Sequence, residues 1–533
     1  MASTYGTIAL RLVELTFAYY FLIGIYNVFF HPLRRYPGPL LWRFSPVPKN
    51  IHMLMGNYAA KALEIHKTYQ GTVRVAPNEL SYIQPQAWKD IMGRPLRSEM
   101  PKDLRYFGGE NFGRDSIVTT RPADHTRQRR IFTHAFSNTA LKAQEPLLAS
   151  YADQMVEVMG RHDRRGRVNI VDLYNFCTFD IMADLTFGEP LLLLQKGAYI
   201  PWVHNLFAGL KFVIWGVVLL EIPLLGPLVQ AVTAAPLKKK AQEHTDYAGR
   251  LVDRRLAEAN HAKPDIWSFV LRRSGGGEGV DGDDGDTKGL SVREMHANAA
   301  VFMVAGTETT ATVLSGTTFH LLRNPRVYGL LVREIRGRFA RAEDIRVDGL
   351  VGLEYLQAVL MEGLRLYNPA GAGLPRIVPK GGAEICGNVV PEGTLVSVNP
   401  YVAFTHPDNW ARPTEFVPER WLHPEDPEWK DDRRDVHEPF SYGPRNCLGK
   451  KVMHDAVCNG TSPLLTNDRL AQPRVARASP AAGEDSLALR HGAVSRDGGV
   501  GRAEELHHVG EGAVDGDAET RGKGLRYRVA CVA

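Results

Sequence analysis

Apolar residues recur at spacings of three and four over segments 138–160, 171–187, 240–273, 291–323 and 353–367, so each of these predicts a helix with one buried face. Strand-like alternation is confined to short pieces. Thr72-Val73-Arg74-Val75-Ala76 and Leu80-Ser81-Tyr82-Ile83 flank the turn Pro77-Asn78, and a further β region is expected within 384–398. The pattern predicts a mainly α chain with a small β region. A capping box, Ser291 with Glu294, marks the start of the 291–323 helix, and Asn324-Pro325 marks its end. Within that helix, Ala305-Gly306-Thr307-Glu308-Thr309-Thr310 places weak helix formers mid-way, which predicts a local opening of the hydrogen-bond ladder.

The N-terminal run from Leu15 to Phe30 is uncharged and rich in aromatics. Extended back to Leu12 it predicts one transmembrane helix, with residues 1–35 as the anchor. Arg34 and Arg35 follow it and only Arg11 precedes it, which places the body of the chain in the cytosol. A cleaved signal peptide fits less well, because bulky residues continue to Phe30 and lead into Tyr36-Pro37-Gly38-Pro39. Residues 274–289 form an acidic, glycine-rich linker that lacks the ligand spacing of a calcium-binding loop.

Composition narrows the function. In 533 residues, 44% are hydrophobic and 23% charged, enough for a sizeable core, and a net charge of +5 is too small and dispersed for a nucleic-acid partner. The five cysteines stand apart, without C-x-x-C pairs, so neither a disulfide framework nor a structural zinc site is indicated. One of them, Cys447, sits in Phe440-Ser441-Tyr442-Gly443-Pro444-Arg445-Asn446-Cys447-Leu448-Gly449. Glycines and proline specify a tight loop that turns backbone N–H groups toward the sulfur, and Arg445 adds positive charge. Both favour thiolate over thiol, the form needed in a ligand or nucleophile.

This F-x-x-G-x-R-x-C-x-G string resembles the haem-binding loop of the cytochrome P-450 superfamily, in particular the fungal microsomal haem-thiolate monooxygenases of secondary metabolism, trichothecene hydroxylases among them. The resemblance implies haem b with Cys447 as axial ligand to the iron, and Glu308 and Thr309 as a proton relay to oxygen. It implies a structural triad of Glu362 and Arg365 with Arg420 from Phe416-Val417-Pro418-Glu419-Arg420-Trp421, and haem-propionate partners His125, Arg129, Arg376 and Arg445. His125 stands where the family has tryptophan. It further implies NADPH as electron source through NADPH-cytochrome P-450 reductase, a lipophilic small-molecule substrate, and single-pass residence in the endoplasmic reticulum membrane. The substrate pocket is expected among 97–120, 191–235, 299–309 and 370–374.

The resemblance covers roughly residues 30–450, giving a haem domain over 36–451, and then stops. Residues 453–533 hold one aromatic, Tyr527, and neither Phe, Trp nor Ile. Residues 452–533 are expected to be a largely disordered tail, from a shifted reading frame or misplaced splice boundary. Asn459-Gly460-Thr461-Ser462-Pro463 is expected to deny the chain the helix that family members carry after the Cys loop. Two further readings therefore stand beside the monooxygenase: a catalytically impaired remnant, and a haem-thiolate isomerase or dehydratase that uses no dioxygen.

Overall fold

The structure is a computed structural model that describes residues 2–93, 99–107, 115–163, 168–221, 225–258, 263–273, 289–341 and 344–457. The linker 274–288 and the tail from 458 onward lie outside the described residues. The body is helical, with short strands β1 (Val73–Ala76), β2 (Glu79–Tyr82), β3 (Arg376–Ile377), β4 (Ala383–Ile385), β5 (Asn388–Val390) and β6 (Leu395–Val398). β1 and β2 form the expected hairpin. β6 joins β2 in parallel, with Leu80 opposite Val396, and β3 closes the sheet antiparallel to β6. This sheet is buried on both faces, with Val73, Val75, Leu80, Val396 and Val398 all fully covered.

The expected helices form over Asn138–Asp163, Ile170–Phe187, Val292–Arg323 and Glu354–Leu366. The segment expected as one helix over 240–273 is two, Leu225–Ala257 and Ile266–Arg273. Pro264 lacks the N–H that a continuous helix needs. The next residue, Asp265, instead accepts from the Ser268 backbone N–H (2.7 Å) at the start of the second helix, while its other oxygen pairs with buried Arg255 (2.5 Å).

The central helix, Val292–Arg323, starts at the predicted capping box and packs along Ile170–Phe187. Contrary to the expected opening, it is α-helical throughout. The threonine hydroxyls bond back to carbonyls one turn earlier, Thr307 to Met303 and Thr309 to Ala305 (both 2.6 Å), so the ladder stays closed. Gly306 is needed for packing instead. A Cβ there would lie 2.5 Å from the Met182 sulfur.

Two other expectations are corrected. The N-terminal helix, Ala2–Phe29, forms, but among the described residues no helix is long and apolar enough to cross a membrane. Tyr19, Tyr20, Tyr26 and Asn27 dilute the run that was expected to span. The helix is tied down at its C-terminal end, where Asn27 donates to the Phe44 carbonyl (3.1 Å) and Arg43 to that of Val28 (3.1 Å). Beyond the Cys loop the chain is helical over 450–457, with Met453 N–H bonded to Gly449 and Val457 buried. Two turns of helix thus follow the loop, where the helix was expected to be missing.

Candidate active site

The loop 440–449 closes on itself through the Cys447 backbone N–H, which donates to the Phe440 carbonyl (2.9 Å). Gly443 makes this possible. Its φ is +77°, and a Cβ there would sit 2.1 Å from the Met92 carbonyl oxygen, so only glycine lets the loop pass that backbone. The Cys447 side chain is exposed, yet protein crowds it: burial pushes the thiol up, against the Gly449 N–H, the charges of Arg129 and Lys450, and the Lys450 N–H. Burial wins, which corrects the expectation that the loop alone favours thiolate. A cation at the sulfur is what would ionise it.

Arg445 does not serve that purpose. Its guanidinium turns away to Glu99, with Nη2 2.6 Å and Nε 2.9 Å from Oε1, and Nη2 also donates to the Thr120 carbonyl (3.0 Å). Arg129 is the group that reaches the Cys loop, donating to the Asn446 backbone carbonyl (2.6 Å) and to its side-chain oxygen.

Around Glu99 the chain gathers more positive charge than one carboxylate can balance. Arg376, 4% exposed, donates to the Met100 carbonyl (3.2 Å) and has no carboxylate at bonding distance among the described residues; burial brings its pKa down to about 10. Lys102 donates to the Val118 carbonyl (3.0 Å), and burial, then Arg376 and Arg445, hold its ammonium well below the usual range. His125 is buried beside them. Desolvation, then Arg445, lower it to about 3, so the imidazole is neutral near pH 7. Glu99 is held below the usual carboxylate range: burial raises it, but the Arg445 hydrogen bond and charge more than compensate. Lys102 and Glu99 were not singled out in the sequence. Both lie in the stretch read as substrate pocket, and the pairing of Arg445 with Glu99 spans 346 residues.

On the central helix, burial raises the Glu308 carboxyl to about 7, and its Oε2 is buried with no hydrogen-bond partner. Such an orphaned oxygen is costly unless a ligand, water or proton meets it. Thr309, next to it, has its hydroxyl proton committed to Ala305 but keeps lone pairs to accept another.

Glu362, Arg365 and Arg420 meet in the core, each side chain 0% exposed. Glu362 Oε1 accepts from Arg365 (2.7 Å), the Val417 N–H (3.0 Å) and Arg420 (3.2 Å); Oε2 accepts from Arg365 (2.8 Å) and the Trp421 indole (2.9 Å). Asp432, unnoticed in the sequence, completes the network by taking a 2.6 Å bond from Arg420.

A cavity of about 820 Å³, counting its mouth, is lined by residues from three of the four stretches expected to frame the substrate, including Tyr106, Ile214, Val217 and Ala372. The fourth, 299–309, is not in its wall, and residues 108–114 and 222–224 lie outside the described ones.

These residues fit a haem. An accessible sulfur that needs a cation to ionise, a buried cationic cluster short of anions, and an orphaned acid are what the iron, the two propionates and the oxygen side of the ring would satisfy. The chain matches the cytochrome P450 family over residues 32–453. It is 41% identical over 455 residues to a cytochrome P450 monooxygenase of Hormonema carpetanum, covering 84% of this chain and 87% of that one. It is 39% identical to one of Gibberella moniliformis (81% and 90% covered), and 37% identical to an averantin hydroxylase of Dothistroma septosporum (80% and 79% covered). The chain belongs to the cytochrome P450 family, whose haem-dependent monooxygenases are oxidoreductases.

Proposed function

We propose that this chain inserts one oxygen atom of O2 into a lipophilic small molecule of fungal secondary metabolism, with electrons from NADPH passed on by NADPH-cytochrome P-450 reductase at the endoplasmic reticulum membrane. When bound, haem supplies the activation of dioxygen. Cys447 would hold the iron as thiolate, in a loop braced by Arg129. Lys102, Arg376 and Arg445, with His125 beside them, would hold the propionates. Glu308, poised near pH 7, carries the proton, and Thr309 positions it. The exposed apolar side chains Leu15, Phe17, Phe21 and Leu22 support contact with a membrane.

The observation that carries this reading is Cys447 itself, an accessible sulfur in a loop whose geometry admits only glycine at Gly443. The test is Cys447→Ser. The wild-type chain is expected to give the thiolate-type Soret band in its reduced carbon monoxide complex and the variant to lose it; survival of the band overturns the assignment. Product that forms without O2 and NADPH would favour the isomerase or dehydratase, against which intact Glu308 and Thr309 argue. A chain that never takes up haem would be the impaired remnant.

A further inference from the structure

The wall of the cavity includes the Tyr106 phenol, whose proton meets no acceptor among the described residues. Lys49, 1% exposed, donates to Glu79 (2.6 Å) and to the Tyr106 hydroxyl oxygen (3.1 Å), with Glu221 3.8 Å away. Burial would push the ammonium down, but Glu79, Tyr106 and Glu221 more than reverse it, so Lys49 stays charged. Tyr106 therefore spends a lone pair on Lys49. Among the described residues its O–H proton has no acceptor, although burial drives the phenol pKa up and keeps the proton on. The rest of the wall is mostly apolar: Met53, Ala59, Ile214, Val217, Ala372 and Pro375.

Charge decides what the donor can meet. Near Tyr106 stand the carboxylates Glu79, Glu221 and Asp103 against the cations Lys49 and Arg105, and Arg105 is itself taken by Asp103 (2.7 Å) and Glu221 (3.4 Å). A ligand carboxylate would add to a local excess of negative charge, and an ammonium cannot accept a hydrogen bond. We infer that this cavity is a recognition site for a neutral, lipophilic molecule bearing a carbonyl or comparable acceptor oxygen, and that Tyr106, oriented by the Lys49–Glu79 pair, is the residue that reads it. This deepens the proposed function by naming the class of substrate, and rests on that reading only for what happens to the molecule afterwards.

The test is calorimetric titration of the full chain with three probes of one ring frame: fluorenone, fluorene and fluorene carboxylate. Fluorenone is expected to bind about three- to tenfold more tightly than fluorene, the range one net neutral hydrogen bond supplies. Fluorene carboxylate is expected to bind most weakly. In Tyr106→Phe the preference for fluorenone disappears while fluorene binds as before. In Ala372→Leu, which fills the cavity, both neutral probes weaken together. Persistence of the preference in Tyr106→Phe, tightest binding by the carboxylate, or unchanged binding in Ala372→Leu would each overturn the inference. Should Tyr106→Phe fail to fold, the wild-type ranking decides together with Ala372→Leu: fluorenone no tighter than fluorene, or no loss of the preferred binding when the cavity is filled, overturns the inference. Calorimetry needs no turnover. A chain that keeps the Tyr106-dependent preference but lacks the thiolate band sinks the monooxygenase reading and leaves this one standing.

Discussion

Glu308 is shifted toward its neutral form by position, since burial is the sole cause of its rise to about 7 and no cation lies at bonding distance among the described residues. A carboxyl whose folded pKa exceeds its unfolded value near 4.5 stabilises the fold fully below that value, and the contribution is lost as pH rises through 7. Glu308→Gln removes the titration. By urea unfolding, the variant should gain on the wild type between pH 5 and pH 8 by up to about 3 kcal/mol. A constant difference across that range would mean that Glu308 is solvated in the folded chain. Cys447 presents the same physics with the opposite resolution, because its environment disfavours the charged form until a cation arrives.

Elements carry these residues to one another. The helix Glu354–Leu366 presents Glu362 and Arg365 on one buried face, and the short helix Glu419–Leu422 brings Arg420 and Trp421 against them. With four donor residues converging on one carboxylate, Glu362→Gln puts an amide N–H where an acceptor is required. The expected loss is about 3–5 kcal/mol in urea unfolding, as for a buried pair deprived of one partner. A loss under about 1 kcal/mol would mean that Asp432 can neutralise both arginines alone. The break between Leu225–Ala257 and Ile266–Arg273 was not visible in apolar spacing, which continues across it. Pro264 was the available signal, and Asp265 acts through Arg255, ten residues earlier.

Taking the whole molecule, the N-terminal helix is joined to the body toward its C-terminal end. Asn27 and Val28 bond to 43–44, and the Phe21 ring packs at a tilt against Phe44 with centroids 5.9 Å apart, whereas Leu15, Phe17 and Tyr19 are exposed. Deleting residues 2–20 should therefore leave unfolding within about 0.5 kcal/mol of the full chain, the range of surface changes. Sedimentation with phosphatidylcholine vesicles should fall severalfold. Undiminished sedimentation would move membrane contact to another surface, with exposed Trp215 on Pro201–Leu220 the next candidate.

Features written within a few residues of each other were legible before any fold was known. The capping box at Ser291, the hairpin at Pro77-Asn78, the helix periods and the glycine-framed cysteine loop are local, because backbone sterics and hydrogen bonds act between near neighbours. How charge is shared was not legible there, because it depends on distant segments meeting. Arg445 meets Glu99 across 346 residues, Lys102 and Arg376 crowd the same buried space, and Lys49 orients Tyr106. Burial sets those partnerships, and burial belongs to the assembled fold. That is also why Cys447 looked ready to ionise in its loop, whereas burial in the folded chain pushes its thiol up.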